Sequence, residues 1–358
     1  MMSCGIAGGG LLGRLLAFVL ARAGWAVEVF DPAAGPLERG AAGWTAAGML
    51  SPVAELECAD ANVFALGVRS VELWPAIVAA LAPHGAVHLV QAGSLLLAHR
   101  PDRGAAERVV SLLRAKAAPE HHPVAVSAAQ LAELEPSVHG PAHAWWLPRE
   151  AQIHTVQAMA VLAQAAAAAG ARFHWGTRIE RVEAHLLQPA GGAARRFDHV
   201  FDARGTGARP QLPVRGVRGE IVWLHAPGVA LSRPLRLLHP RHRVYLVPRP
   251  DDLVVIGASE IESEDRSPVS LRSTVELLAA AHSVVPELAE ARIVHLETNL
   301  RPALPDNLPR CDDATAGITR INGLFRHGWL IAPALVERAC APLGVSVQPA
   351  AEPAQATS

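Results

Sequence analysis

Tyrosine is almost missing from this chain: one residue in 358, at position 245. Cysteine is scarce too, and Cys4, Cys58, Cys311 and Cys340 include no CxxC pair. That spacing excludes a dithiol redox motif and a thiolate zinc knuckle, and it fits reduced thiols in a cytoplasmic protein. The 17 histidines are scattered without a zincin or zinc-finger spacing, so no metal site is expected. Charge of one sign is lacking as well. The net charge is -1 and the pI about 7.0, which gives no field for nucleic acid or an anionic membrane. No uninterrupted apolar run reaches the roughly 18 residues of a membrane span, and no internal repeat is present.

What is there is a large apolar fraction, 51% against 18% charged, over a length that suits two domains. Ser3–Ala7 reads as a buried strand ending in glycines. Leu12–Ala23 reads as a helix apolar on most faces, and Ala26–Phe30 as a second strand ending at Asp31. Strand, tight turn, helix and strand make a parallel β-α-β unit. The apolar stretch Leu15–Ala21, flanked by Arg14 and Arg22, imitates a signal peptide. The glycine turn before it accounts for the same residues as a helix following a phosphate loop.

Further along, helices are expected over Asn62–Leu81, Arg103–Ala118, a short stretch opened by Ser127, His154–Ala169, Ser270–Val284 and Leu330–Ala341. Strands are expected within Val87–Ala98, at Ala171–Trp175, Arg178–Ala184 and His199–Ala203, and at Gly219–His225, Val244–Val247, Leu253–Gly257 and Arg292–Leu300.

Gly8, Gly10 and Gly13 fit GxGxxG between the first strand and helix. The first glycine permits the turn, the second leaves room for a pyrophosphate, and the third lets helix and strand approach. The helix N-terminus adds partial positive charge, and Asp31 stands where a carboxylate accepts from a ribose. A dinucleotide site follows. The motif alone leaves FAD and NAD open, so an NAD-dependent dehydrogenase stays in view at this point.

Four more segments occur in order: Ala46-Ala47-Gly48-Met49-Leu50; Tyr245-Leu246-Val247-Pro248-Arg249 with Val254–Ala258; Leu300-Arg301-Pro302-Ala303-Leu304-Pro305-Asp306; and Arg326-His327-Gly328-Trp329-Leu330-Ile331-Ala332-Pro333-Ala334. With the glycine loop they resemble the D-amino-acid-oxidase superfamily of flavoenzymes, and within it the glycine oxidases of bacterial thiamine biosynthesis. The resemblance runs from about residue 4 to about residue 342. It implies an α/β fold, α+β overall. A Rossmann-like FAD domain with a parallel sheet (1–80, 145–215, 297–345) would interleave with a substrate domain on a mostly antiparallel sheet (81–144, 216–296), followed by a frayed tail (346–358).

The resemblance also implies site residues. Gly8, Gly10, Leu11, Leu12 and Gly13 would hold noncovalent FAD through the glycine loop, with Asp31 and Pro32 at the adenosine ribose. Ala42, Gly43, Ala47, Gly48 and Met49 would line the path to the flavin, and Ile179 would meet the adenine side. Arg326, His327, Gly328, Trp329 and Leu330 would wrap the isoalloxazine edge; relatives often carry asparagine where this chain has His327. Arg301, Tyr245, Arg326 and Met49 would form the catalytic pocket. An arginine fork suits a substrate carboxylate, and a phenol can hydrogen-bond it while excluding water. Asp202 and Arg204 read as a structural ion pair.

The implied reaction is oxidative deamination of glycine or a similar small amino acid. Hydride leaves Cα for flavin N5, dioxygen reoxidises the flavin to give hydrogen peroxide, and the imine serves thiazole synthesis. Sarcosine, D-amino-acid and dehydrogenase relatives of the same superfamily are the alternatives. The expected partners are the amino acid and dioxygen, with homo-oligomerisation left open.

Overall fold

A computed structural model describes residues 1–239 and 243–348. Its first layer is a six-stranded sheet. Ser3–Ala7 pairs in parallel with Ala26–Asp31 on one side and His199–Asp202 on the other. Arg172–Trp175 and Ile318–Asn322 extend it in parallel, and Arg310–Asp312 closes one edge antiparallel. The helix Leu11–Arg22 lies on one face, buried along nearly its whole length. It packs there with the helices Thr155–Ala168 and Gly328–Cys340 in the largest core. A small antiparallel sheet of Ile179–Glu183, Leu186–Pro189 and Arg195–Arg196 covers the other face through Val182, Leu187 and Phe197. Burial on both faces explains why the central strands read as continuous apolar runs.

The second layer is an eight-stranded sheet, antiparallel except where Leu235–Leu238 runs parallel to Ser94–Ala98. Its longest pairing joins Arg215–His225 to Arg292–Ala303. The helix Leu271–Val284, capped by Ser270 on the Ser273 N–H, packs on one face, and Arg103–Lys116 packs against the Ser94–Ala98 region. A three-stranded bridge, Met49–Leu50, Ala151–Ile153 and Leu89–Val90, lies apart from both large sheets.

Several expectations need correction. The division at 144/145 cuts the strand His143–Leu147, and the division at 296/297 cuts Arg292–Ala303; both strands belong to the eight-stranded sheet. Chain order placed those cuts, whereas sheet membership follows from backbone pairing. Strands at His143–Leu147, Ala151–Ile153, Leu235–Leu238 and Ile318–Asn322 carry no expectation from sequence. They are three to five residues long, too short to display a period. Of the tail expected to fray, Val347 is buried in the core, and 349–358 lie outside the described residues. Ala61–His84 is long and apolar enough to cross a bilayer. Here it packs along the final helix, with Trp74 stacked on Trp329 and Arg69 paired with Glu337.

Candidate cofactor and substrate site

One elongated cavity of about 1350 Å³ runs from the glycine loop to the eight-stranded sheet. Every residue expected at the site lines it except Gly13, which lies just beneath. At the first end the glycines have separable reasons. Gly8 adopts φ +102°, and a Cβ there meets the Ala203 carbonyl oxygen at 2.5 Å. A Cβ on Gly13 falls 1.8 Å from the Gly8 carbonyl oxygen, so strand and helix touch through backbone. A Cβ on Gly10 would have only Ala41 nearby, at 3.6 Å. The helix starting at Leu11 has no side-chain cap, which leaves its first N–H groups for an anion. Asp31 accepts from the Gly9 N–H at 2.6 Å and from the Ala33 N–H at 2.8 Å, one bond on each oxygen. Each oxygen keeps a lone pair for a ribose hydroxyl.

Arg14 is a functional candidate that sequence reasoning passed over. Its side chain is almost fully buried, donating to the carbonyls of Gly9 (2.7 Å), Met159 (2.6 Å) and Pro36 (2.9 Å) between Trp44 and Trp175. Burial lowers its pKa to about 10, against the pull of Asp31, so it remains a cation beside the loop. The available signal was a charge inside a helix apolar on its other faces.

The middle of the cavity is a stapled backbone. Thr155 donates to the Ala46 carbonyl at 2.9 Å, and the Trp329 indole to that of Gly43 at 3.0 Å. Gly48 has φ +65°, and a Cβ there lies 2.0 Å from the Ile153 oxygen. Trp329 and Leu330 are buried, and the Trp329 carbonyl accepts from the Trp74 indole at 3.1 Å. The Ile179 carbonyl is taken by Arg204, which also grips Asp202 through two hydrogen bonds, the structural pair read from sequence.

At the far end the eight-stranded sheet presents Arg301 and Tyr245. The Arg301 guanidinium lies over Gly219, where a Cβ comes within 2.5 Å of Cζ. It donates to the carbonyls of Ser259 (3.0 Å) and Arg218 (3.4 Å) and makes no ion pair among the described residues. Burial pulls its pKa below the ordinary arginine value. The Tyr245 ring lies over Gly257, its register partner, and burial raises the phenol's pKa. Tyr245 and Arg301 thus each rest on a glycine of a neighbouring strand.

Arg326 differs. It pairs with Glu55 at 3.1 Å and Glu260 at 3.2 Å, and Glu55 raises its pKa above the ordinary value. Glu55 also meets Arg236 at 3.0 Å and the His327 ring at 3.2 Å. Burial alone would raise the Glu55 carboxyl, but Arg326, Arg236 and His327 hold it well below the usual range. The His327 side chain accordingly serves Glu55. Sequence reasoning missed Glu55 because nothing local marks it; its partners Arg236, Arg326 and His327 come from distant parts of the chain.

A dinucleotide fits these residues. The cradle is glycine where a Cβ would collide, the cavity is long, and one end carries a helix N-terminus while the other carries an unpaired guanidinium. The profile of the family described as "DAO: FAD dependent oxidoreductase" matches residues 4–340. The chain is 36% identical over 330 residues to the "Putative thiamine biosynthesis oxidoreductase ThiO" of Rhizobium etli, covering 92% of each. It is 28% identical over 357 residues to the "Glycine oxidase" of Geobacillus kaustophilus, covering 92% of this chain and 89% of that one. The crystal structure of glycine oxidase from Geobacillus kaustophilus superposes with a TM-score of 0.81 at 27% identity, over 98% of this chain and 100% of the other.

Proposed function

The chain belongs to the DAO family of FAD-dependent oxidoreductases, and we propose that it oxidatively deaminates glycine or a similarly small amino acid. One observation carries the substrate assignment: Arg301 is a half-buried guanidinium lining the cavity that has no carboxylate partner among the described residues. A substrate carboxylate supplies that partner, in the bidentate form arginine favours. Tyr245 hydrogen-bonds the same carboxylate through a hydroxyl that has no other hydrogen-bond partner among the described residues, and its ring keeps water away. Arg326, already neutralised by Glu55 and Glu260, shapes the pocket wall with Met49.

FAD, when bound, would supply the hydride acceptor for the substrate Cα–H and the route for electrons to dioxygen, giving hydrogen peroxide. The protein's share is orientation and charge placement. Asp31, the glycine loop and the Leu11 helix end hold the ADP portion. The Gly328 helix end, where a Cβ would meet nothing within 4 Å, leaves backbone free for the flavin edge. No side chain is required as a base if the amine binds neutral. The product imine hydrolyses to glyoxylate and ammonia, or feeds thiamine thiazole synthesis.

The test is anaerobic bleaching of the purified yellow holoprotein with glycine, sarcosine and D-alanine. Bleaching fastest with glycine is expected. No bleaching with any of the three would overturn the reading.

A further inference from the structure

Arg249 ends the strand Arg243–Arg249 and shares a face with Tyr245 and Val247. That face backs the Ala47–Met49 segment of the cavity wall, and Ala47, Met49, Tyr245 and Val247 form one apolar cluster with Trp223. Arg249 is 6% exposed. It donates to the Ala47 carbonyl, to Gln152 Oε1 at 3.0 Å and to the Pro248 carbonyl at 3.2 Å, while its Nε has no acceptor. No ion pair meets it among the described residues. The titratable groups that sense it are Tyr245, His154 and His88. Burial lowers the His154 pKa to about 4, with Arg249 adding to the effect, so that neighbour is neutral at pH 7. Burial, opposed by Tyr245, brings the Arg249 guanidinium to about 9, and it remains a cation.

A buried, uncompensated cation is expensive to keep. Gln152 and two carbonyls take the hydrogen bonds of its two terminal nitrogens, Nε is left without an acceptor, and no described group cancels its charge. Such a charge favours whichever state of the neighbouring cavity carries more negative charge. We infer that Arg249 is a positioning residue for the cofactor, holding the Ala47–Gly48 backbone and, through its uncompensated charge, raising the midpoint potential of the flavin bound beyond that segment. The inference rests on the proposed placement of the flavin beside Met49 and Tyr245.

The experiment uses three holoprotein variants and two readouts that need no amine: the two-electron midpoint potential by dye equilibration, and sulfite affinity. Arg249→Met removes the charge; Arg249→Lys keeps it while losing the fork. Arg249→Met is expected to lower the potential and weaken sulfite binding about tenfold, with Arg249→Lys within about twofold of the parent. Equal shifts in both variants would reduce Arg249 to a structural brace, and no shift in either would remove it from the cofactor's surroundings. Arg249→Gln, neutral and polar, replaces Arg249→Met if that variant does not fold, and must show the same loss. Potentials that move as expected in a protein inert toward every amine tested would leave this inference standing and sink the proposed function instead.

Discussion

The two ends of the cavity solve different problems with different materials. The glycine-loop end is made of backbone: Gly8, Gly10 and Gly13 clear space, and the Leu11 helix presents N–H groups. A buried cation there, Arg14, is held by three carbonyls. The arginine end is made of side chains. Arg301, Arg326, Arg236, Glu55 and Glu260 converge there from well-separated segments of the chain. Within that end, Arg301 has no counter-ion among the described residues and Arg326 has two. Backbone suits what every member of a cofactor class shares, whereas an unpaired side-chain charge suits the recognition of one particular ligand.

That contrast can be broken in several places. The largest effect is expected from Arg301→Ala, which should keep FAD and lose about 2–5 kcal/mol of transition-state binding, read as kcat/KM for the amino acid. Unchanged kinetics would take Arg301 out of the site.

Next is Glu55→Gln, which strips Arg326, Arg236 and His327 of their shared anion. Breaking a buried network of this kind costs about 3 kcal/mol, measurable by urea melts at pH 7. Because the Glu55 carboxyl is depressed in the folded chain, its contribution is present above the unfolded value of 4.5 and is lost as pH falls below it. A variant as stable as the parent at pH 7 would mean the ion pairs hold nothing in place.

Gly13→Ala should weaken FAD binding by about 1–3 kcal/mol, because its Cβ would overlap the Gly8 carbonyl. Equilibrium reconstitution of the apoprotein measures it. If turnover with saturating FAD falls as steeply as in Arg301→Ala, the two ends are not separable.

The smallest effect lies in a slope. Glu150 receives the Ala54 N–H at 2.9 Å and the Ser94 hydroxyl, tying the short helix that carries Glu55 to the eight-stranded sheet. Burial raises its pKa to about 7. The folded chain therefore holds a proton there that the unfolded chain releases near 4.5, so the Glu150 contribution to stability is greatest below 4.5 and is lost as pH rises from there through about 7. Glu150→Gln should flatten that decline, seen in melts across the window. An unaltered slope would place the titration elsewhere.

The glycine-loop end was legible from a few consecutive residues, since strand, turn, helix and acid follow one another in the chain. Arg301 and Tyr245 were singled out through their flanking motifs, and the structure places both on the cavity wall. Arg14 hid inside an apolar helix, and Glu55 and Arg249 carried no local mark. The strand Ile318–Asn322 went unread because Thr319, Arg320 and Asn322 interrupt its apolar residues. It is a strand because His199–Asp202 lies alongside it.

By itself the sequence determined the β-α-β unit, the glycine turn and the cofactor class it can cradle, because those rest on φ, on Cβ clearance and on neighbours a few residues apart. Only the tertiary structure decided which arginines are free. Whether a guanidinium meets a carboxylate depends on residues brought together from distant parts of the chain, as Glu55 is to Arg326 and as nothing described is to Arg301.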